Sequence, residues 1–529
     1  MTTFRALMAG VAGRARRIPA WALALIAGAG PALAHPPFGI WPALSGFGLL
    51  LWLLDRSDIA KPLKSAFWRG WLAGFAYFLI STWWIAEAFF VDFAAHGWQA
   101  PFAVTLLPAG LGLFWGGAAV LYRLRAPRSV LRVLVFAATF ALAEWLRGHV
   151  LTGFPWNLPG EAWGAGSPVS QTAAAVGTYG LSLLTLVLGA AVGLLGGTDT
   201  PRARNGAFAL AAATLAVLWI SGTIRLATAP PPSAEGVRLR VVQTNLPEVA
   251  DFSEATFRSR LALYLSLTAS PSAHPPQVVI WPEGALPAAA SDYLAPGTWT
   301  AAAIAGALPR GAILLVGGYR VEMDVPAPRY YNSLVAVRRD GAGLTHLGRY
   351  DKHHLVPFGE YLPLKGLLEP LGLKKLVSVG EGFDIGPPPR PLSLAGLPPV
   401  QPLICYESLF PRLADHAAPR PAWIVNVSND AWFGQTSGPW QHLNIASFRA
   451  IEEGLPLVRA TPTGVSAVVD AFGRPLARVP TGKQGVIDLV LPRTVKITLY
   501  GRFGDWLFAL GLVIFLVPGV IKRSSSRVN

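Results

Sequence analysis

The chain has 529 residues, 52% of them hydrophobic and only 14% charged, against about 25% charged in an ordinary soluble protein. That composition excludes a purely soluble globule and indicates a membrane protein. The formal net charge of +15 does not point to nucleic acid, because the basic residues fall between hydrophobic runs instead of gathering on one face or tail; much of the excess is read as setting membrane orientation.

In chain order, apolar runs occupy 18–34, 38–54, 67–89, 101–122, 130–146, 170–195 and 206–224, and an eighth lies at 505–521. Most approach the ~20 residues a helix needs to cross the hydrocarbon core, and a helix satisfies its own backbone in lipid, so about eight transmembrane helices are expected. Nineteen tryptophans, several near the ends of these runs, suit anchoring at the bilayer interface. Arg5, Arg14, Arg16 and Arg17 precede the first run. Arg56, Lys61, Lys64 and Arg69 follow the second, Arg123, Arg125, Arg128 and Arg132 follow the fourth, Arg202 and Arg204 follow the sixth, and Lys522, Arg523 and Arg527 follow the last. The alternate loops 35–37 and 91–100 carry no Lys or Arg, with Arg147 the main exception on that side. The bias puts both termini in the cytoplasm and the region between the seventh and eighth runs on the opposite side. The first 34 residues also resemble a secretory signal ending in Ala32-Leu33-Ala34, but a second run follows almost at once and favours a retained helix.

The expected organisation is therefore 1–225 with about seven transmembrane helices, a linker at 226–236 built on Pro230-Pro231-Pro232, a globular region at 237–492, and a last transmembrane helix at 503–523. In the globular region the long runs give way to short strand-like segments at 237–243, 277–281, 312–319, 333–338, 400–405, 422–427 and 466–470. Helical stretches at 254–268 and 298–307 alternate with them. An α/β sandwich is the expected class.

Cys405 is the only cysteine, so it cannot form an intramolecular disulfide. It stands where an apolar strand turns into an expected helix, whose N-terminal partial charge would stabilise a thiolate. Trp281-Pro282-Glu283-Gly284 offers a carboxylate as general base and Tyr350-Asp351-Lys352-His353-His354 offers an amine; cysteine, glutamate and lysine together suffice for acyl transfer through a thioester. The competing reading of Cys405 is a buried small hydrophobe. His353 and His354 are adjacent, with no cysteine or acidic cluster beside them, so no metal site is expected. Glu144 and Arg147 lie near a span end, where snorkelling is the ordinary explanation. Segment 153–158 reads as a re-entrant turn or a lipid-facing anchor, and 426–433 as a strand and turn whose asparagines satisfy backbone. A transporter or receptor is disfavoured because the runs show no paired charges of the kind that line an ion path.

Trp281-Pro282-Glu283, then Lys352-His353-His354-Leu355-Val356-Pro357-Phe358-Gly359-Glu360-Tyr361, then Ile404-Cys405-Tyr406-Glu407, in that order, resemble the nitrilase superfamily. Within it, the stretch from His354 to Pro363 and Cys405-Tyr406-Glu407-Ser408 are similar to the bacterial apolipoprotein N-acyltransferases, and the likeness covers nearly the whole chain. The resemblance implies a multi-pass α-helical membrane domain plus an extracytoplasmic nitrilase-like αββα sandwich in the inner membrane. Glu283 would be the general base, Lys352 the oxyanion stabiliser and Cys405 the nucleophile. Glu360 would be a second, supporting carboxylate, and Tyr406 and Glu407 would shape the pocket beside the thiol. It further implies a phospholipid acyl donor, phosphatidylethanolamine, and a diacylglyceryl-modified apolipoprotein as acceptor, with neither cofactor nor metal. A membrane-tethered amidase hydrolysing a C–N bond is the competing enzyme reading. Two positions depart from the family pattern: Pro462 stands where asparagine is expected and Leu455 where a basic residue is expected.

Overall fold

The computed structural model of the chain describes residues 18–231, 235–248, 253–363, 366, 382–412 and 419–525. Arg5, Arg14, Arg16, Arg17 and Arg527, used above for orientation, lie outside the described residues, as does 232–234 of the linker. The chain divides into two compact units. One comprises Met1–Trp83, Pro101–Thr228 and Arg502–Asn529, the other Trp84–Ala100 and Ala229–Gly501.

The first seven apolar runs are helical: α1 (Ala20–Ala32), α2 (Gly46–Asp55), α3 (Pro62–Thr82), α4 (Ala100–Arg125), α5 (Arg132–His149), α6 (Ala173–Ala191) and α7 (Pro201–Ala227); the eighth is the helix Trp506–Ser525. Among the described residues five helical stretches are long and apolar enough to cross a membrane, namely Pro62–Phe89, Phe93–Arg125, Arg132–Thr152, Val169–Gly196 and Pro201–Ala227; the helices Ala20–Ala32, Trp41–Asp55 and Trp506–Val520 are apolar but shorter.

The expectation of snorkelling at the end of α5 is overturned. Glu144 and Arg147 form an ion pair with side chains 1% and 0% exposed. Three residues apart on one helix, they lie on the same face. The Trp115 indole donates to Glu144 Oε1 at 2.6 Å and the Arg147 guanidinium donates to the Phe154 carbonyl. A paired charge inside the helical unit is thus present, contrary to the sequence expectation, and it is fully occupied in packing. The segment after α5 turns inward rather than toward lipid: Trp156, Asn157 and Leu158 are buried, and Tyr77 donates to the Asn157 carbonyl at 2.6 Å.

The second unit is built on two sheets. The first contains β1 (Arg238–Gln243), β2 (Val278–Trp281), β3 (Ile313–Glu322), β4 (Arg329–Asp340), β5 (Gly343–Asp351) and β11 (Gly485–Val490), in the order β11-β1-β2-β3-β4-β5. The second has the order β10-β9-β8-β7-β6, from β6 (Val400–Ile404), β7 (Trp423–Val427), β8 (Leu457–Ala460), β9 (Ser466–Val469) and β10 (Pro475–Val479). β1, β2 and β3 are parallel, as are β6, β7 and β8, and the outer strands run antiparallel.

Strand alternation sorts the side chains into layers. Val241, Ile280 and Leu315 share one apolar cluster with Ile404, Val425 and Val458 of the other sheet. Their chain neighbours Val242, Trp281 and Val316 face outward onto Phe257, Leu261 and Ile304. Those last three belong to α8 (Glu254–Thr268) and α9 (Trp299–Ala307), each started by a capping hydroxyl: Ser253 accepts from the Thr256 N–H and Thr298 from the Ala301 N–H, both at 3.2 Å. On the outer face of the second sheet α10 (Gly438–Glu453) packs through Leu443, Ala446 and Ala450 and ends at Gly454 in the left-handed conformation. The order helix, sheet, sheet, helix is the expected αββα sandwich.

Arg147→Ala leaves the Glu144 carboxylate buried and unpaired and should cost about 3–5 kcal/mol, read as a lowered unfolding midpoint of the detergent-solubilised chain. Exposed Arg202→Ala should stay within about 0.5 kcal/mol of the parent.

Candidate active site

Three loops leave the carboxyl ends of their strands on the same side of the sandwich, the usual place for a site in α/β sheets. Glu283 lies two residues beyond β2, Lys352 directly follows β5, and Cys405 directly follows β6. Two glycines let the loops approach. A Cβ on Gly317 would stand 2.5 Å from Glu283 Cα, and one on Gly386 would stand 2.2 Å from the Asp351 carbonyl oxygen. Ahead of Lys352, Asp351 is fixed by Arg320 at 2.9 Å and by the Ser333 hydroxyl at 2.6 Å.

Glu283, Lys352 and Glu360 form one buried charge cluster. Lys352 is 1% exposed, with Nζ 2.9 Å from Glu360 Oε1 and 3.6 Å from Glu283 Oε1. The Asn332 amide nitrogen, on β4, donates to Glu283 Oε1 and to Glu360 Oε1, both at 2.7 Å. The remaining oxygens are also filled: the Asn429 N–H donates to Glu283 Oε2 at 2.7 Å and the Val356 N–H to Glu360 Oε2 at 2.8 Å. Burial opposes the charge on Lys352, but Glu360 and then Glu283 outweigh it and hold the amine above the ordinary lysine range. It is therefore an ammonium, a donor and not a base. Burial raises the pKa of Glu283 above the usual carboxylate value, with Lys352 opposing and Glu360 assisting. A carboxylate raised in this way is the better proton acceptor.

Cys405 is partly exposed; Glu407, two residues on, is hydrogen-bonded to the N–H of His353 next to Lys352 and to the N–H of Ile404 next to Cys405, and the charges of Lys352 and Glu283 both act on the thiol. Its backbone departs from expectation. The helix that was to begin here is one 3₁₀ turn, Cys405–Leu409, and Cys405 itself has φ 49°. So short a turn has no aligned run of peptide dipoles to stabilise a thiolate. Burial pushes the thiol up to about 12, Glu283 adding to the shift and Lys352 opposing it. The resting group is a thiol, and a base must remove its proton during reaction.

Tyr406 is 7% exposed and packs edge-on against Phe410, their ring centres 5.1 Å apart. Glu407 is fully buried. Its Oε1 accepts from the Tyr350 hydroxyl and the His353 N–H at 2.8 Å and from the His354 N–H at 3.1 Å, while Oε2 accepts from the Ile404 N–H at 2.8 Å. This one carboxylate therefore ties the Lys352 loop to the end of the Cys405 strand.

The two histidines serve the scaffold: His353 Nδ1 meets the Gly386 carbonyl at 2.8 Å and His354 stacks on Phe410 at 3.8 Å. Pro462 offers its carbonyl to the Asn245 N–H at 2.7 Å, and Leu455 is 1% exposed within an apolar cluster, which a basic residue could not join. The Asn426 side chain donates to the Leu403 carbonyl at 3.1 Å and Asn429 Oδ1 accepts from the Ala431 N–H at 3.3 Å, the backbone roles expected for both; the Asn429 amide nitrogen also donates to Glu248 at 2.8 Å. Asn332 was missed from sequence. The only trace was a polar residue interrupting the apolar β4 run, and nothing local tells an active-site amide from a surface one. A nucleophile, a raised carboxylate and a buried ammonium can together perform acyl transfer to water or to an amine.

The carbon-nitrogen hydrolase family profile matches residues 238–495, and the profile of the apolipoprotein N-acyltransferase N-terminal domain matches residues 27–191. Relatives named apolipoprotein N-acyltransferase include one from Caulobacter vibrioides, 54% identical over 96% of this chain and 94% of its own length. Another, from Rhodopseudomonas palustris, is 42% identical over 95% of this chain and 94% of its own. A third, from Bradyrhizobium diazoefficiens, is 40% identical over 96% and 95%.

The raised thiol predicts slow alkylation: at about pH 8 iodoacetamide should label the folded chain more slowly than the urea-unfolded chain, whose thiol has an ordinary pKa of about 8.5. The folded rate should keep climbing beyond about pH 10, where the unfolded one has levelled off. Gly317→Ala should displace Glu283 and lower turnover by about 100-fold, with the sandwich still folded by circular dichroism.

Proposed function

The chain belongs to the apolipoprotein N-acyltransferase family, and from that premise we infer that Cys405 carries the transferred acyl group as a thioester, with Glu283 as general base and Lys352 as oxyanion donor. The enzyme is a membrane acyltransferase of lipoprotein maturation. The observation that carries the residue assignment is the buried ammonium of Lys352, set between Glu283 and Glu360 beside the sole cysteine of the chain.

In the first half-reaction Glu283 takes the Sγ proton as sulfur attacks the ester carbonyl of a phospholipid. The carbonyl π electrons move to oxygen, and the Lys352 ammonium stabilises the oxyanion. When the intermediate collapses, the C–O bond breaks and protonated Glu283 returns its proton to the departing lysophospholipid, leaving a thioester on Cys405. In the second, Glu283 takes a proton from the α-amine of the diacylglyceryl-modified cysteine of an apolipoprotein. The nitrogen attacks the thioester, the C–S bond breaks, and the thiol regains its proton from Glu283. Glu360 keeps Lys352 charged throughout, and Asn332 holds the two carboxylates in register.

Phosphatidylethanolamine is the proposed donor. The basic loops after the second, fourth and sixth spans, against the loops 35–37 and 91–100 that carry no Lys or Arg, support an extracytoplasmic catalytic region with cytoplasmic termini. The proposed domain division is 1–225 for membrane helices, 226–236 for the linker, 237–492 for the catalytic region and 503–523 for a last transmembrane helix. Both substrates carry acyl chains whose exposure costs about 0.8 kcal/mol per CH₂, so attachment to the bilayer suits their delivery.

Incubation with phosphatidylethanolamine should add one acyl-chain mass to Cys405 by mass spectrometry, with none on Cys405→Ala. Glu283→Gln and Lys352→Met should each reduce thioester formation by at least ~100-fold. Hydrolysis of an amide without any acyl adduct would support the amidase reading instead.

A further inference from the structure

Behind Cys405 lies a second polar cluster to which the proposed chemistry assigns no part. Ser408, Asp430, His442 and Arg459 are each fully buried. Arg459 Nη2 donates to Asp430 Oδ1 at 2.8 Å and Oδ2 at 2.7 Å, and the Ser428 hydroxyl donates to Asp430 Oδ1 at 2.8 Å. His442 Nδ1 stands 2.9 Å from both Asp430 Oδ1 and Arg459 Nη2. On the other side of the ring, Nε2 is 3.0 Å from Ser408 Oγ and 3.3 Å from the Cys405 carbonyl oxygen.

The order Asp430, His442, Ser408 has the outline of a Ser-His-Asp nucleophilic triad, but the proton inventory gives it another role. The Ser408 hydroxyl donates to the Cys405 carbonyl at 2.9 Å, so its proton is directed away from the ring and its oxygen accepts from His442. Nδ1 faces both an acceptor, Asp430 Oδ1, and a donor, Arg459 Nη2, whereas with the Ser408 proton committed to the Cys405 carbonyl both neighbours of Nε2 offer lone pairs; the proton of the neutral imidazole is therefore assigned to Nε2 from its partners. Nδ1 then accepts from Arg459. Burial, assisted by Arg459, lowers the His442 pKa, in keeping with a neutral ring. Two donors thus converge on one oxygen, and that oxygen belongs to the residue at φ 49°.

A non-glycine residue in the left-handed region is strained and stays there only if its surroundings hold it. Resting on the acyl-transfer reading above, we propose that His442, with Ser408, is a positioning clamp: anchored by Arg459, which Asp430 holds through both carboxylate oxygens, it grips the Cys405 carbonyl, holds the nucleophile's left-handed backbone, and thereby aims Sγ at Glu283 and Lys352. None of the four touches substrate; all act through Cys405.

The test uses the full-length chain in detergent with three variants and two readouts, thioester formation from phosphatidylethanolamine and the pH profile of iodoacetamide labelling at the sole thiol. Ser408→Ala and His442→Phe each remove one donor to the carbonyl, whereas His442→Gln keeps an N–H within reach. Ser408→Ala and His442→Phe should lower kcat by about 10- to 100-fold with KM within about 3-fold. Both should change the labelling profile, and His442→Gln should remain within about 5-fold of the parent. If His442→Phe does not fold, Ser408→Ala decides. Parental rate and profile in Ser408→Ala would overturn the clamp, as would His442→Gln losing as much as a folded His442→Phe. A parent chain that forms no thioester would sink the functional reading instead, while the labelling comparison, which needs no acyl donor, still reports on the clamp.

Discussion

An ammonium with 1% of its residue exposed exists inside a protein only if carboxylates surround it, and the catalytic unit is arranged around that requirement at Lys352. Glu360 and Glu283 supply the negative charge, and Asn332 keeps the two carboxylates apart by donating to both. Each partner comes from a different part of the sheet: the end of β2, the interior of β4, and the segment after β5. Removing any one leaves the others with an uncompensated buried charge or an unfilled oxygen, so the cluster ties the strand order of the first sheet to the chemistry at its rim.

The thiol is prepared by the same electrostatics in the opposite sense. Burial, and after it the charge of Glu283, disfavours thiolate against the pull of Lys352, and the Cys405 thiol is pushed up to about 12. The enzyme therefore stores its nucleophile protonated and relies on Glu283, itself raised by burial, to collect the proton as the C–S bond forms. Such a nucleophile is quiet toward adventitious electrophiles and active only when a bound carbonyl makes proton transfer favourable. Glu407 completes the arrangement by fastening the Cys405 strand to the Lys352 loop with four accepted hydrogen bonds.

How much of this was readable in the sequence depended on whether the information was local. Apolar runs gave the helices, and alternation gave the central strands, because burial on two faces leaves a dense hydrophobic trace. Four strands escaped notice: β5, β10 and β11 lie at sheet edges, where one side is open and the pattern is partly polar, and β8 has only four residues, one of them Arg459. The motif residues Glu283, Lys352, Glu360, Cys405, Tyr406 and Glu407 were visible through their neighbours. Asn332 and His442 were not, since each matters only because of what other strands bring to it. The turn at Cys405 was misjudged because a strand-to-helix junction and a single 3₁₀ turn share the same apolar-to-polar pattern. Arg147 was misjudged because an arginine near a span end is commonly solvated, and its three-residue spacing from Glu144 was read without the indole of Trp115 that completes the pair.

That pair bears on how the protein is made. A carboxylate or guanidinium entering the bilayer alone on a nascent helix costs roughly 2.5–3.5 kcal/mol, yet α5 carries both, one turn apart and already neutralising each other. Their remaining hydrogen-bond partners, the Trp115 indole and the Phe154 carbonyl, come from the preceding helix and the following turn. Partition of α5 out of the translocon is thus favoured once α4 is beside it and the re-entrant turn has folded back, so biogenesis of this region is cooperative, a three-part insertion unit rather than a succession of independent spans.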